Sequence, residues 1–194
     1  MSKVKIAIFA SGQGSNALNI IEHFKNHPQI EVGFVLSNRS DANVLIVAEK
    51  RGVPTFFVPN GAVEAGAELV EICRQASIDF IVLAGFLRKI PACLIASFPN
   101  RIMNIHPALL PKFGGVGMYG KHVHEAVFQA REVETGITIH FVNEVFDAGR
   151  KLAQFHCRVE ATDTVNEIQQ KVQLLEHMYF PVVIEKTILN YTHV

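Results

Sequence analysis

KIAIFASGQGSNALNIIEHF, residues 5–24, passes from an apolar run through a glycine loop into a helical pattern. KIAIFA (5–10) reads as a strand covered on both faces, because its apolar residues run on almost without alternation. The loop SGQGSN (11–16) places Gly12 and Gly14 where the chain must turn sharply. From Ser15, the residues Ala17, Leu18, Ile20, Ile21 and Phe24 recur at the spacing of one helix face. Strand, tight loop and helix in that order open a βαβ unit, and so predict a parallel sheet.

The alternation continues. EVGFVLSN (31–38), TFFV (55–58), DFIVLAGF (79–86) and RIMNIH (101–106) read as strands. Helices are predicted over 41–50 and 63–76, with a short one beginning near Pro91. Crossovers of this kind are what parallel neighbours require. The second half differs. KFGGVGMYGK (112–121) holds four glycines and is expected to be a mobile loop. A helix is predicted over 122–130, then TGITIHFV (135–142) and LAQFHCRV (152–159) as an antiparallel strand pair. A closing helix runs from Thr164 to about Leu189, with Pro181 expected to kink or break it. The reading is a single α/β domain over 1–194. It is a Rossmann-like open sheet, with a parallel N-terminal half (1–100) flanked by helices on both faces. The antiparallel pair and the long C-terminal helix belong to 101–194.

Lys+Arg and Asp+Glu balance at 18 each in 194 residues, so no net field favours nucleic acid or a membrane surface. The apolar run in MSKVKIAIFASGQGS is too short for a secretory signal, and no stretch approaches the roughly 18 apolar residues of a membrane span. Cys73, Cys93 and Cys157 are scattered, with no CxxC spacing, which predicts a reducing, cytoplasmic setting and no cysteine-based zinc site. His122 and His124 form HxH but diverge on a helix, so no metal is expected. His140 and His156 read as ordinary packing or hydrogen-bonding residues within strands.

Two segments carry chemistry. Gly14, Ser15 and Asn16 stand at a helix N-terminus, where exposed N–H groups and the helix dipole suit a phosphate. Extended to Ala17, the loop fits the dinucleotide pattern G-x-G-x-x-G/A. That pattern wants an acidic residue after the second strand, and the chain has Ser37-Asn38-Arg39 there. NAD is therefore disfavoured, while Arg39 leaves an opening for NADP. In NIHPALLP (104–111), Asn104 and His106 lie two apart in an extended chain and project to the same side. Pro107 holds His106 in extended geometry. Asp147, in FDAGR, follows the strand TGITIHFV on a turn that Gly149 lets close. A carboxylate near His106 is expected to orient the imidazole and raise its pKa. The alternative for Asp147 is an ordinary Asx turn.

NIHPALLP, SGQGSN, VLAGFLR (82–88), TGITIHFV…DAG and LEHMYFP (175–181) occur in this order in the folate-dependent formyltransferase family. Over nearly its whole length the chain resembles the phosphoribosylglycinamide formyltransferases of that family. Relatives with an added N- or C-terminal domain do not fit its length. The resemblance implies a formyl transfer from 10-formyltetrahydrofolate to the amine of glycinamide ribonucleotide, in purine biosynthesis. It implies Asn104, His106 and Asp147 as the catalytic trio, with a protonated His106 and the Asn104 amide as oxyanion donors. The backbone of Gly14, Ser15 and Asn16 would hold the substrate phosphate, and Gln173 and Glu176 its sugar or glycinamide end. Leu87, Arg88 and the segment Val142, Asn143, Glu144 would line the folate pocket. The partners would be these two small molecules, without nucleic acid or membrane, and a homodimer is left open. The chain departs from the family in having no arginine between Arg51 and Arg74 to meet the folate tail. Arg150-Lys151 also replaces an apolar pair, so the strand that follows is expected to start late. Two further readings stand beside this one: a 10-formyltetrahydrofolate deformylase with water as nucleophile, and a Rossmann-type NADP oxidoreductase.

Overall fold

The computed structural model describes residues 3–192. The chain divides into two compact units, Met1–Met103 and Asn104–Val194. Among the described residues seven strands form one sheet: β1 Val4–Phe9, β2 Ile30–Ser37, β3 Thr55–Phe57, β4 Phe80–Leu83, β5 Ile102–His106, β6 Glu134–Phe141 and β7 Lys151–Arg158. Their order is β3-β2-β1-β4-β5-β6-β7. Pairs β1–β2, β1–β4 and β2–β3 are parallel, and β6–β7 is antiparallel. This is the open α/β sheet that the sequence predicts.

In the first unit the run Ile6-Ala7-Ile8-Phe9 is wholly buried, as a strand covered on both faces requires. Helix α1 (Ser15–Phe24) buries Ala17, Ile20, Ile21 and Phe24, and leaves Leu18 at the margin. Helix α2 spans Asn43–Glu49. The single helix expected over 63–76 is instead two, α3 (Asn60–Ala65) and α4 (Ala67–Gln75). Gly66 separates them in the left-handed region at φ 78°, its N–H donating back to the Ala62 carbonyl. A side chain there would run into Pro91 and Cys93. A short helix α5 (Ala92–Ser97) starts after Pro91.

In the second unit, α6 spans Lys121–Gln129, and the glycine-rich segment before it forms turns. Strand β7 begins at Lys151, not late: the Arg150 carbonyl already accepts the Phe141 N–H at 2.9 Å. Of the kink or break expected at Pro181 there is no break: helix α7 (Val165–Thr192) continues through it. Thr164 and Glu167 form a capping box at its start, each side chain taking the other's N–H. Ile168, Val172, Phe180, Ile184 and Ile188 make its buried stripe. Among the described residues, no helix is long and apolar enough to cross a membrane.

Candidate active site

In the first unit, the loop after β1 is fixed from below. The Gly12 carbonyl accepts the Val44 N–H at 3.1 Å, and the Gln13 carbonyl accepts from Asn43 Nδ2 at 3.0 Å. Gly14 sits at φ 86°, and a Cβ on it would lie 2.7–2.9 Å from Val44 atoms, backbone included. Only glycine fits there. As the residue preceding α1 it carries no side chain to cap the helix. Arg39, which kept the NADP reading open, is held by Asp41 at 2.9 Å. Leu87 is exposed on the loop after β4, and the neighbouring Arg88 guanidinium is gripped by Glu64 at 2.6 Å.

In the second unit, four polar side chains meet. Asp147 Oδ2 stands 3.5 Å from His106 Nδ1, and Asp147 Oδ1 stands 3.6 Å from His140 Nε2. His140 Nδ1 lies 2.9 Å from the Phe141 carbonyl, which can only accept, so that nitrogen carries the proton. The Nε2 lone pair of a neutral His140 then accepts from Asn104 Nδ2 at 3.1 Å. By the same logic His106 Nε2 donates to the Phe113 carbonyl at 2.7 Å. The Gly115 N–H donates to Asp147 Oδ2 at 2.9 Å, so the glycine-rich loop touches both His106 and Asp147. Phe113 and Asp147 each sit at φ 54°, a left-handed conformation costing about 1–3 kcal/mol for such residues. Gly149 allows the turn to return, since a Cβ on it would strike the Phe141 carbonyl.

The electrostatics are set by burial first. His106 is lowered below the usual imidazole value by burial, which outweighs the upward pull of Asp147 and of the Phe113 carbonyl. The expectation of a raised pKa is therefore corrected: Asp147 pulls in the expected direction, but desolvation wins. For Asp147 burial pushes upward, yet the neighbouring His140 and His106 imidazoles and the Gly115 N–H together hold it below the usual carboxylate range. His124, on α6, is 4% exposed and is pushed down to about 4 by burial, with His106 adding to the effect.

Asn104, His106 and Asp147 thus stand in one cluster, with His140 bonded to the Asn104 amide and facing Asp147. Gln173 and Glu176 lie one turn apart on α7, both half-buried. Val142 is half-buried, while Asn143 and Glu144 are exposed on the turn after β6. His140 is the residue that sequence reasoning missed. A signal was available, because a histidine inside a covered strand needs a polar partner, and the turn carrying Asp147 follows directly. His122, by contrast, is exposed, so the HxH pair does diverge.

The fold is an open, mostly parallel α/β sheet, and the second unit sets the Asp147 carboxylate between two imidazoles. The family profile described as formyl transferase matches residues 4–184, and the chain belongs to that family. Within it the chain groups with the phosphoribosylglycinamide formyltransferases. The Bacillus subtilis enzyme of that name is 33% identical over 187 residues, which cover 94% of this chain and 93% of that one. The chloroplastic enzyme of Arabidopsis thaliana is 42% identical, and there the match covers 91% of this chain but 62% of the relative. The chain thus spans about three fifths of the plant relatives it matches. Among solved structures, the enzyme of Streptococcus pneumoniae TIGR4 superposes with a TM-score of 0.85 at 32% identity, covering 97% of this chain and 99% of that one.

Proposed function

We propose that the chain transfers a formyl group from 10-formyltetrahydrofolate to the amine of glycinamide ribonucleotide, a step of purine biosynthesis, in the cytosol. One observation carries the reading: the Asp147 carboxylate lies between His106 and His140, and His140 in turn orients the Asn104 amide. The amine attacks the formyl carbon, a C–N bond forms, and negative charge develops on the formyl oxygen. Asn104 gives one amide hydrogen to His140 and offers the second to that oxygen. His106 offers its Nε2–H to the oxygen once the Phe113 carbonyl gives way. Donors of this type contribute a few kcal/mol each in a dry site. The amine proton passes through Asp147, which burial and its partners keep ionised, to the departing folate nitrogen as the old C–N bond breaks.

In this reading Gly14, Ser15 and Asn16 hold the substrate phosphate through their backbone, and Gln173 and Glu176 meet its sugar or glycinamide end. Leu87, Arg88, Val142, Asn143 and Glu144 line the folate pocket. The test is to mix protein, glycinamide ribonucleotide and 10-formyltetrahydrofolate and follow loss of the formyl donor. Loss that requires the amine supports transfer. Equal loss without the amine identifies a deformylase, and no loss in either case refutes both.

A further inference from the structure

Three polar residues are buried at the carboxyl ends of β1 and β2: Ser11 at 3% exposure, Ser37 at 0% and Asn38 at 8%. Packing alone would be served there by alanine, as it is at the adjacent Ala10 and Ala84. Ser11 grips the loop after β4 twice. Its N–H donates to the Gly85 carbonyl at 3.0 Å, and its Oγ accepts the Leu87 N–H at 2.9 Å. The two bonds run in opposite directions, so they fix both the place and the rotation of segment 85–87. The Ser11 hydroxyl proton goes to Asn38 Oδ1 at 2.6 Å, and Asn38 Nδ2 donates onward to Asn60 Oδ1 at 2.8 Å. Turning both amides over would leave the serine proton without an acceptor, so the chain of bonds has one satisfied arrangement. The clamped segment has no helix or strand of its own, and Gly85 lies at φ 79°. Leu87 therefore shows an exposed side chain while its amide is held inward.

We infer that Ser11 is a positioning residue, which presents Leu87 and Arg88 to the folate by holding the Leu87 amide between the loops that follow β1, β2 and β4. The inference rests on the assignment of Leu87 and Arg88 to the folate pocket. Ser11→Ala removes the acceptor of the part-buried Leu87 N–H and the donor to Asn38. The chemical groups and the phosphate loop's own anchors at Val44 and Asn43 are untouched.

The test is steady-state kinetics on Ser11→Ala, with its fold verified by circular dichroism and thermal melting. The KM for 10-formyltetrahydrofolate is expected to rise about fivefold to tenfold, as for one lost buried hydrogen bond. The KM for glycinamide ribonucleotide and kcat should stay within about twofold. A purely architectural serine would lower Tm and leave the folate KM of the folded enzyme unchanged, and that result overturns the inference. An equal rise in both KM values overturns it as well. Should Ser11→Ala not fold, Asn38→Ala decides: it keeps the Leu87 bond but frees the hydroxyl to turn. A smaller rise confined to the folate KM supports the clamp, and an unchanged folate KM refutes it. A wild-type enzyme that transfers no formyl group would instead sink the functional reading itself.

Discussion

Asp147 works against its own surroundings. Burial alone would raise its pKa, yet two neighbouring imidazoles and a backbone N–H hold it below the usual carboxylate range. His106 shows the converse, with burial overriding the carboxylate beside it. The sequence could place the two groups near each other but could not weigh desolvation, because the apolar cover of His106 comes from the folded chain. Asp147→Asn should lower kcat by roughly 10²–10³ with little change in either KM, since the charge it serves arises mainly in the transition state. The same change removes an upward influence on His106, so the imidazole pKa should fall further. NMR titration of His106 in both proteins measures this, and a raised or unmoved value would contradict the electrostatic account. In the wild type the acid limb of kcat owed to Asp147 should lie below the ordinary carboxylate range.

Strand β1 and helix α1 were legible nearly to the residue, because a continuous apolar run, a glycine loop and a 3.6-residue stripe all agree there. The break between α3 and α4 was not. A glycine inside a helical pattern normally costs about 1 kcal/mol and ends nothing; Gly66 ends a helix because Pro91 and Cys93 crowd it, and that contact is tertiary. Pro181 is the opposite case, a proline expected to kink or break the helix that does not break it. Its cost of about 3 kcal/mol is offset by burial of Phe180, Ile184 and Ile188, worth about 1.5–3 kcal/mol each. In the candidate site, NIHPALLP announced Asn104 and His106, while His140 stayed hidden among the apolar residues of β6. Helix α6 carries the clearest pH consequence. His124 is buried with Nδ1 lacking a hydrogen-bond partner, and its pKa of about 4 lies below that of an unfolded histidine. The unfolded chain therefore binds the extra proton first as pH falls. The stability is fully present above about pH 6.5 and is lost towards pH 4, by about 3 kcal/mol from this residue. His124→Leu should flatten that acid loss in urea titrations at pH 7 and pH 4.5. His106 and His177 are lowered too and would leave part of the slope. An unaltered slope would show that His124 is not the group being charged.

Over the full sequence the charges cancel, 18 against 18, so no long-range field draws in the two anionic ligands of the proposed reaction. In that proposed reading capture rests on local donors: the start of α1 for a phosphate, and Arg88 for a carboxylate. Glu64 already occupies Arg88 in the free protein, with both groups partly exposed. Folate binding at that arginine is then an exchange, one carboxylate arriving as another departs. The ion inventory of the pair is the same before and after, so dissolved salt has little to compete with. The folate Kd should stay nearly flat between about 50 and 300 mM salt, although contacts between exposed charges are ordinarily screened over that range. Glu64→Gln turns the exchange into a simple capture, so that variant should bind folate more tightly at low salt and lose the advantage as salt rises. Titration calorimetry at both salt concentrations reads the difference, and a steep slope in the wild type would mean that Glu64 never lets go.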